Sequence, residues 1–137
     1  MSVLRRKDID ILEADMPFYS ERYQKTTTAP KGFRCDGATG VPDTKEKCYR
    51  IHDWNYFAAM WDDLSPMSFE EANNNYTDLL RATGHPVLAQ TRRALHWVGR
   101  DAWNAHRRRE MDWQNTKIRA QFRADRCVGK NYTQKGK

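Results

Sequence analysis

The chain has little of what holds small secreted or membrane-embedded proteins together. Of its 137 residues only three are cysteine: Cys35, Cys48 and Cys127. An odd count with no C-x-x-C pair argues against a disulfide framework and against the common zinc spacings. Reduced, partly buried thiols are the expectation. No stretch approaches the roughly 18 consecutive apolar residues of a membrane-spanning helix. The basic Arg5-Arg6-Lys7 is followed by Asp8, Asp10, Glu13 and Asp15 instead of an apolar run, which argues against a secretory leader. The expected location is the cytoplasm of the producing cell, a virion, or both.

Charge and aromatic side chains are plentiful. Charged residues make up 31% and aromatics 12%, with five Trp, a globular composition at a length that suits one domain. The net charge of +6 is unevenly spread. From residue 92 to the end there are 13 Lys+Arg against 4 Asp+Glu, whereas the other 91 residues hold 11 against 14. A basic C-terminal third suits nucleic acid, an anionic membrane or an acidic protein surface, or is simply a solvated helix face.

The periodicity reads as mainly α. Ile9, Leu12 and Met16 share one helical face, ended by Pro17. Residues 24–29, with three consecutive Thr, read as an extended linker or edge segment, and a short hairpin near 26–33 stays open. Residues 31–42 form a glycine loop. A helix is expected over 44–62, with Cys48, Ile51, His52, Tyr56, Ala59 and Met60 on one face. Ser68-Phe-Glu-Glu71 is a capping box for the next helix, Gly84 ends that helix, and His85-Pro86 starts another. From residue 87 one long helix is expected to about 122, bent at Gly99, with a frayed basic tail from 129. The parts are an N-terminal arm (1–30), a helical domain (31–106) and a basic C-terminal helix and tail (107–137).

His52 and Asp53 are adjacent on a helix, so their side chains diverge by about 100° and suit two different tasks. A His facing an interior cleft takes a proton from water near neutral pH. An Asp beside it suits a hard cation, together with carbonyls from a glycine loop. Such a cation would stabilise the oxyanion formed when water attacks an ester. For Asp53 a salt bridge or a loop cap is the competing reading, and for His52 a buried hydrogen bond to Asn73.

These residues resemble a family. Phospholipases A2 have a glycine-bearing calcium loop, then Cys, then His-Asp-x-x-Tyr. Here Cys48 stands four residues before His52, and Tyr56 four after it. The pattern is similar to the phospholipase A2 domains of parvovirus capsid proteins. It is more similar to a family of uncharacterised phage and prophage proteins carrying Gly-Phe-x-Thr/Cys-Asp-Gly-Ala-Ser/Thr-x-x-Pro, His-Asp-x-x-Tyr and Glu-Ala-Asp. This chain has Gly32-Phe33-Arg-Cys35-Asp36-Gly37-Ala38-Thr39-Gly40-Val-Pro42, His52-Asp53-Trp-Asn-Tyr56 and Glu71-Ala72-Asn73. The likeness spans residues 31–103. It implies a core of antiparallel helices, with His52, Tyr56 and the residue at 73 catalytic. It also implies calcium held by Asp53 and the loop at Phe33, Gly37 and Gly40.

The third motif departs from the family: Asn73 stands where those proteins have the Asp that orients the His. An Asn cannot offset an imidazolium charge, and the same exchange in a Ser-His-Asp triad lowers turnover on the order of 10⁴-fold. The expectation is therefore a phage-type virion or assembly accessory protein on a degenerate hydrolase domain. It would dock on other particle proteins through Arg107, Arg108, Arg109, Trp113, Arg119, Phe122 and Arg123. The alternatives are an active calcium-dependent esterase of membrane phospholipids and, more weakly, a nucleic-acid-contacting protein, although no nucleic-acid-binding motif is present.

Overall fold

Two short antiparallel sheets precede the helices. In the first, β1 (Asp10–Ile11) pairs with β4 (Arg34–Cys35), Asp10 opposite Cys35. In the second, β2 (Met16–Ser20) pairs with β3 (Lys25–Ala29), Met16 opposite Ala29 and Ser20 opposite Lys25. Their turn closes where the Gln24 amide donates to the Ser20 carbonyl (2.7 Å), with Gln24 at φ 56°. Then follow α1 (Tyr49–Ala58), α2 (Phe69–Ala82), α3 (Pro86–Ala94), a 3₁₀ turn (His96–Gly99), α4 (Arg100–Arg108) and α5 (Trp113–Lys135). This computed structural model describes residues 9–35, 44–108 and 113–135.

The chain is thus mixed α and β and not the purely helical core expected, and the single long basic helix expected over 87–122 does not form. That region divides into α3, the 3₁₀ turn and α4, and α5 begins after residues 109–112, which lie outside the described residues. The break falls at Leu95 (φ −110°, ψ 23°). It brings Gly99 against Tyr56, a contact that only a glycine permits. The helix expected over Ile9–Met16 is also absent, because that stretch enters two strands.

Strand β3 explains why the N-terminal strands were hard to read. Thr27 and Ala29 point inward with period two, but the inward residue Thr27 is polar. Its hydroxyl accepts from Asn55 Nδ2 (2.7 Å), and Asn55 Oδ1 accepts from Asn75 Nδ2 (3.0 Å). The outer edge is taken by Asp62, whose Oδ1 accepts from the Thr28 amide (2.8 Å) and whose own amide donates to the Thr26 carbonyl (3.0 Å).

Helix α1 is the centre of the fold. Eight of its ten residues are buried, so it lacks the polar face of a surface helix. One side packs Ile51, Trp54 and Phe57 with Leu12, Ala29 and Phe33 from the strands and Phe122 from α5. Fully burying a side chain of this size is worth about 1.5–3 kcal/mol. Arg50 ties the N-terminal segment down, donating to Asp10 (2.6 and 2.9 Å) and Glu13 (3.1 Å). That pairing holds the Asp10 carboxyl below its usual range.

Helix α1 is shorter than the expected 44–62. Lys47 (φ 57°) and Ala59 (φ 54°) are both left-handed and bound it at either end. Other signals appear as expected. Ser68 and Glu71 form the capping box. Gly84 (φ 91°) ends α2: its amide reaches the Arg81 carbonyl, and the His85 amide reaches Leu80. Pro86 opens α3. Cys35, Cys48 and Cys127 are free thiols.

Candidate functional site around His52

Helices α1 and α2 run antiparallel. Cys48 Sγ, before α1, meets Thr83 Oγ1, after α2, at 3.5 Å, while Tyr56, late in α1, meets Asn73, early in α2. Between those ends the His52 ring lies 4.2 Å from the ring of Tyr56 and 4.6 Å from that of Tyr76, stacked on the latter at 29°. His52 is buried, and among the described residues its Nδ1 has no hydrogen-bond partner.

Asn73 does not serve His52. Its Oδ1 accepts from the Tyr56 hydroxyl (2.7 Å) and from Arg92 Nη2 (3.0 Å), and its Nδ2 donates to the Phe69 carbonyl (3.0 Å). Arg92, from α3, is wholly buried. Its Nη2 also lies 3.4 Å from the Tyr56 hydroxyl, its Nη1 donates to the Leu95 carbonyl (3.4 Å), and its Cζ stands 5.6 Å from the Tyr76 ring. Gly99 closes the corner: a Cβ there would lie 2.0 Å from Tyr56 Oη.

The electrostatics follow from this packing. Burial first, then the positive field of Arg92, with His106 and His96 adding to it, push His52 well below the ordinary histidine value of 6.5. Burial raises the Tyr56 hydroxyl, against the opposing pull of Arg92. In a working dyad a carboxylate would offset the charge His52 acquires as a base. Here a fixed cation opposes that charge.

The other expected residues fall as follows. Asp53 is half-buried. Phe33 is in the core, and its carbonyl accepts from the Leu12 amide (3.0 Å). Gly37 and Gly40 lie outside the described residues. Calcium takes six to eight oxygen ligands, and among the described residues no group of three His, Cys, Asp or Glu is placed to hold a metal. The carbonyls expected from positions 37 and 40 lie outside the described residues. Asp78 pairs with Arg22 (2.9 Å), and Asp101 is exposed.

In the basic region, Arg107 Nη2 donates to the carbonyls of Tyr56 (2.7 Å) and Phe57 (2.8 Å), capping α1, with its Cζ 4.4 Å from the Trp103 ring. Arg119 covers the Phe57 ring at 4.7 Å. Phe122 is a core residue, its ring 5.0 Å from that of Trp54. Trp113, Arg108 and Arg123 are exposed, and Arg109 lies outside the described residues. No described helix is long and apolar enough to cross a membrane.

Arg92 and Tyr76 were not singled out by sequence as site residues, and Gly99 only as a bend in a long helix. For Arg92 a signal existed: it follows the buried Ala89 by three residues, on the face that α3 buries. The arrangement is a His-Asp helix facing a second helix that presents the amide of Asn73, which is held by an arginine from a third. Comparison with family models, with curated proteins and with solved structures returns no match.

Proposed function

We propose that this chain is a phage-type virion or assembly accessory protein. It keeps the His-Asp helix of a phospholipase A2-type hydrolase without its turnover. One observation carries this reading: among the described residues His52 Nδ1 has no partner, because the side chain that would orient it, Asn73, is turned to Tyr56 and Arg92. The exposed Trp97 and Trp113, within a region of surplus positive charge, support docking on other particle proteins.

A second reading, an active calcium-dependent esterase, draws on one fact. His52 is held neutral, the form a general base needs, with Asp53 beside it. One assay separates the two. Purified protein is incubated with phospholipid vesicles and calcium, and fatty acid release is compared with His52→Ala. The accessory reading expects no difference, and release that His52→Ala abolishes would replace it with the esterase.

A further inference from the structure

The hairpin of β2 and β3 has two long edges, and Asp62 covers one of them. Its Oδ1 accepts from the Thr28 amide (2.8 Å), and its own amide donates to the Thr26 carbonyl (3.0 Å). The backbone groups of Thr26 and Thr28 therefore point away from β2, so Tyr19–Thr26 and Pro17–Thr28 are the non-hydrogen-bonded pairs of the ladder. It follows that Pro17 and Tyr19 turn their own backbone groups to the outer edge of β2. Among the described residues no third strand pairs there. The edge offers the Tyr19 N–H, the Tyr19 C=O and the Pro17 C=O, since proline has no N–H to give. A cavity of about 370 Å³ is lined by Phe18, Tyr19 and Arg22 on the hairpin side and by Asp78, Arg81 and Ala82 of α2 on the other. Consecutive strand residues point to opposite faces. A space lined by both Phe18 and Tyr19 thus lies along the edge of the strand and not under one face. Its size is within the roughly 300–1,000 Å³ of ligand clefts.

We infer that this groove between the β2 edge and α2 takes an extended segment of a partner protein, added antiparallel to β2 as a third strand. One residue of that segment exchanges both backbone bonds with Tyr19, and the residue two places on donates to the Pro17 carbonyl. Side chains two apart share a face and reach the groove together. The walls define what they are. Arg22 holds Asp78 with two short bonds (3.0 and 2.9 Å), whereas the half-exposed Arg81 reaches it at 3.4 Å. Two guanidinium groups share one carboxylate, and Arg81 keeps donors for an incoming one. Phe18 and Ala82 suit an apolar side chain next to it. Glu21, at the turn end of the groove, repels a second carboxylate there. The partner strand therefore carries one acidic and one apolar side chain two residues apart, which also suits a chain of net charge +6. A second copy of this chain fits less well, because β2, Met16–Ser20, has no acidic residue to offer. Proline on an open edge limits indiscriminate pairing, and here it removes one donor and leaves three groups. The inference rests neither on lipid hydrolysis nor on the basic C-terminal region.

The test is an NMR titration of the ¹⁵N-labelled full chain with a capped pentapeptide that has valine, glutamate and valine on one face and threonine between them. The Tyr19 amide is expected to shift and to saturate at millimolar peptide. The peptide has two alternate sets of backbone nitrogens. Methylating one set is expected to weaken binding about tenfold, the worth of roughly one hydrogen bond, and methylating the other to leave it unchanged. Arg81→Glu, at an exposed position in the last turn of α2, is expected to weaken the glutamate peptide by a similar factor and to favour its lysine counterpart. No shift at the Tyr19 amide, equal effects of the two methylated sets, shifts confined to α5, or an affinity unchanged in Arg81→Glu would each overturn the proposal.

Discussion

Arg92, wholly buried, donates through Nη2 to Asn73 Oδ1 at 3.0 Å, the same oxygen that accepts from the Tyr56 hydroxyl at 2.7 Å. That shared acceptor joins α1, α2 and α3. Removing it in Asn73→Ala leaves a buried guanidinium and a buried hydroxyl short of a partner. The expected loss is about 3 kcal/mol, within the range for orphaning a buried charge, measured by chemical denaturation. A loss under about 1 kcal/mol would mean the three helices are not joined there.

The same geometry predicts how a carboxylate at position 73 behaves. An Asp at position 73 lies beside Arg92 and Tyr56, not beside His52 Nδ1. Asn73→Asp is therefore expected to form a buried ion pair and to gain no lipid hydrolysis over the parent chain. Fatty acid release appearing in Asn73→Asp alone would show instead that position 73 reaches His52.

Gly99 and Tyr56 should be coupled. In Gly99→Ala the new Cβ would lie 2.0 Å from Tyr56 Oη and 2.9 Å from Cζ. The expected cost is about 3 kcal/mol, the upper end for overpacking. Tyr56→Phe removes the nearer atom, so the double variant should be less destabilised than the sum of the singles. Strict additivity in denaturation experiments would contradict the contact.

Acid should weaken the fold earlier than the carboxylates alone would allow. His52 has a folded value well below the unfolded 6.5. Above 6.5 both states are neutral there, and its contribution is complete. As the pH falls below 6.5 the unfolded state takes the proton first, and stability declines with a limiting slope of about 1.4 kcal/mol per pH unit. His96 is shifted in the same direction, chiefly by burial, and adds to this. Stability measured from pH 7.5 to 5 should fall, and His52→Gln should flatten the curve. A flat parent curve over that window would count against a buried neutral His52.

Arg107 and Arg108 are both exposed, but Arg107 is expected to matter more to the fold because of its bonds to α1. Arg107→Ala removes two bonds to the last carbonyls of α1 and should cost about 1–2 kcal/mol, whereas Arg108→Ala should stay within about 0.5 kcal/mol. Equal effects in thermal melts would return Arg107 to the solvated surface.

The sequence was legible where local chemistry decides. Ser68 and Glu71 cap α2, Gly84 ends it, and Pro86 opens α3, because each signal acts within one turn. It was opaque where tertiary contacts decide. Lys25-Thr-Thr-Thr-Ala29 read as an extended linker or edge segment and not as an inner-facing strand, because the inward Thr27 is satisfied by Asn55, a residue 28 positions away. The run after residue 87 looked continuous because the reason to stop, Tyr56 against Gly99, lies on another helix. At the site, His52, Tyr56 and Asn73 do come together, but the partner of Asn73 was hidden. Arg92 counted only toward a basic surface, although its spacing from Ala89 placed it inside.

The most direct test of the central claim is the protonation state of His52 itself. The ¹⁵N and ¹H NMR of the imidazole is followed from pH 7.5 to 5. The account expects a titration well below 6.5, with no carboxylate-bonded Nδ1–H. A His52 that titrates at or above 6.5, with an Nδ1 proton shifted as in a His–carboxylate pair, would contradict it and restore the catalytic dyad.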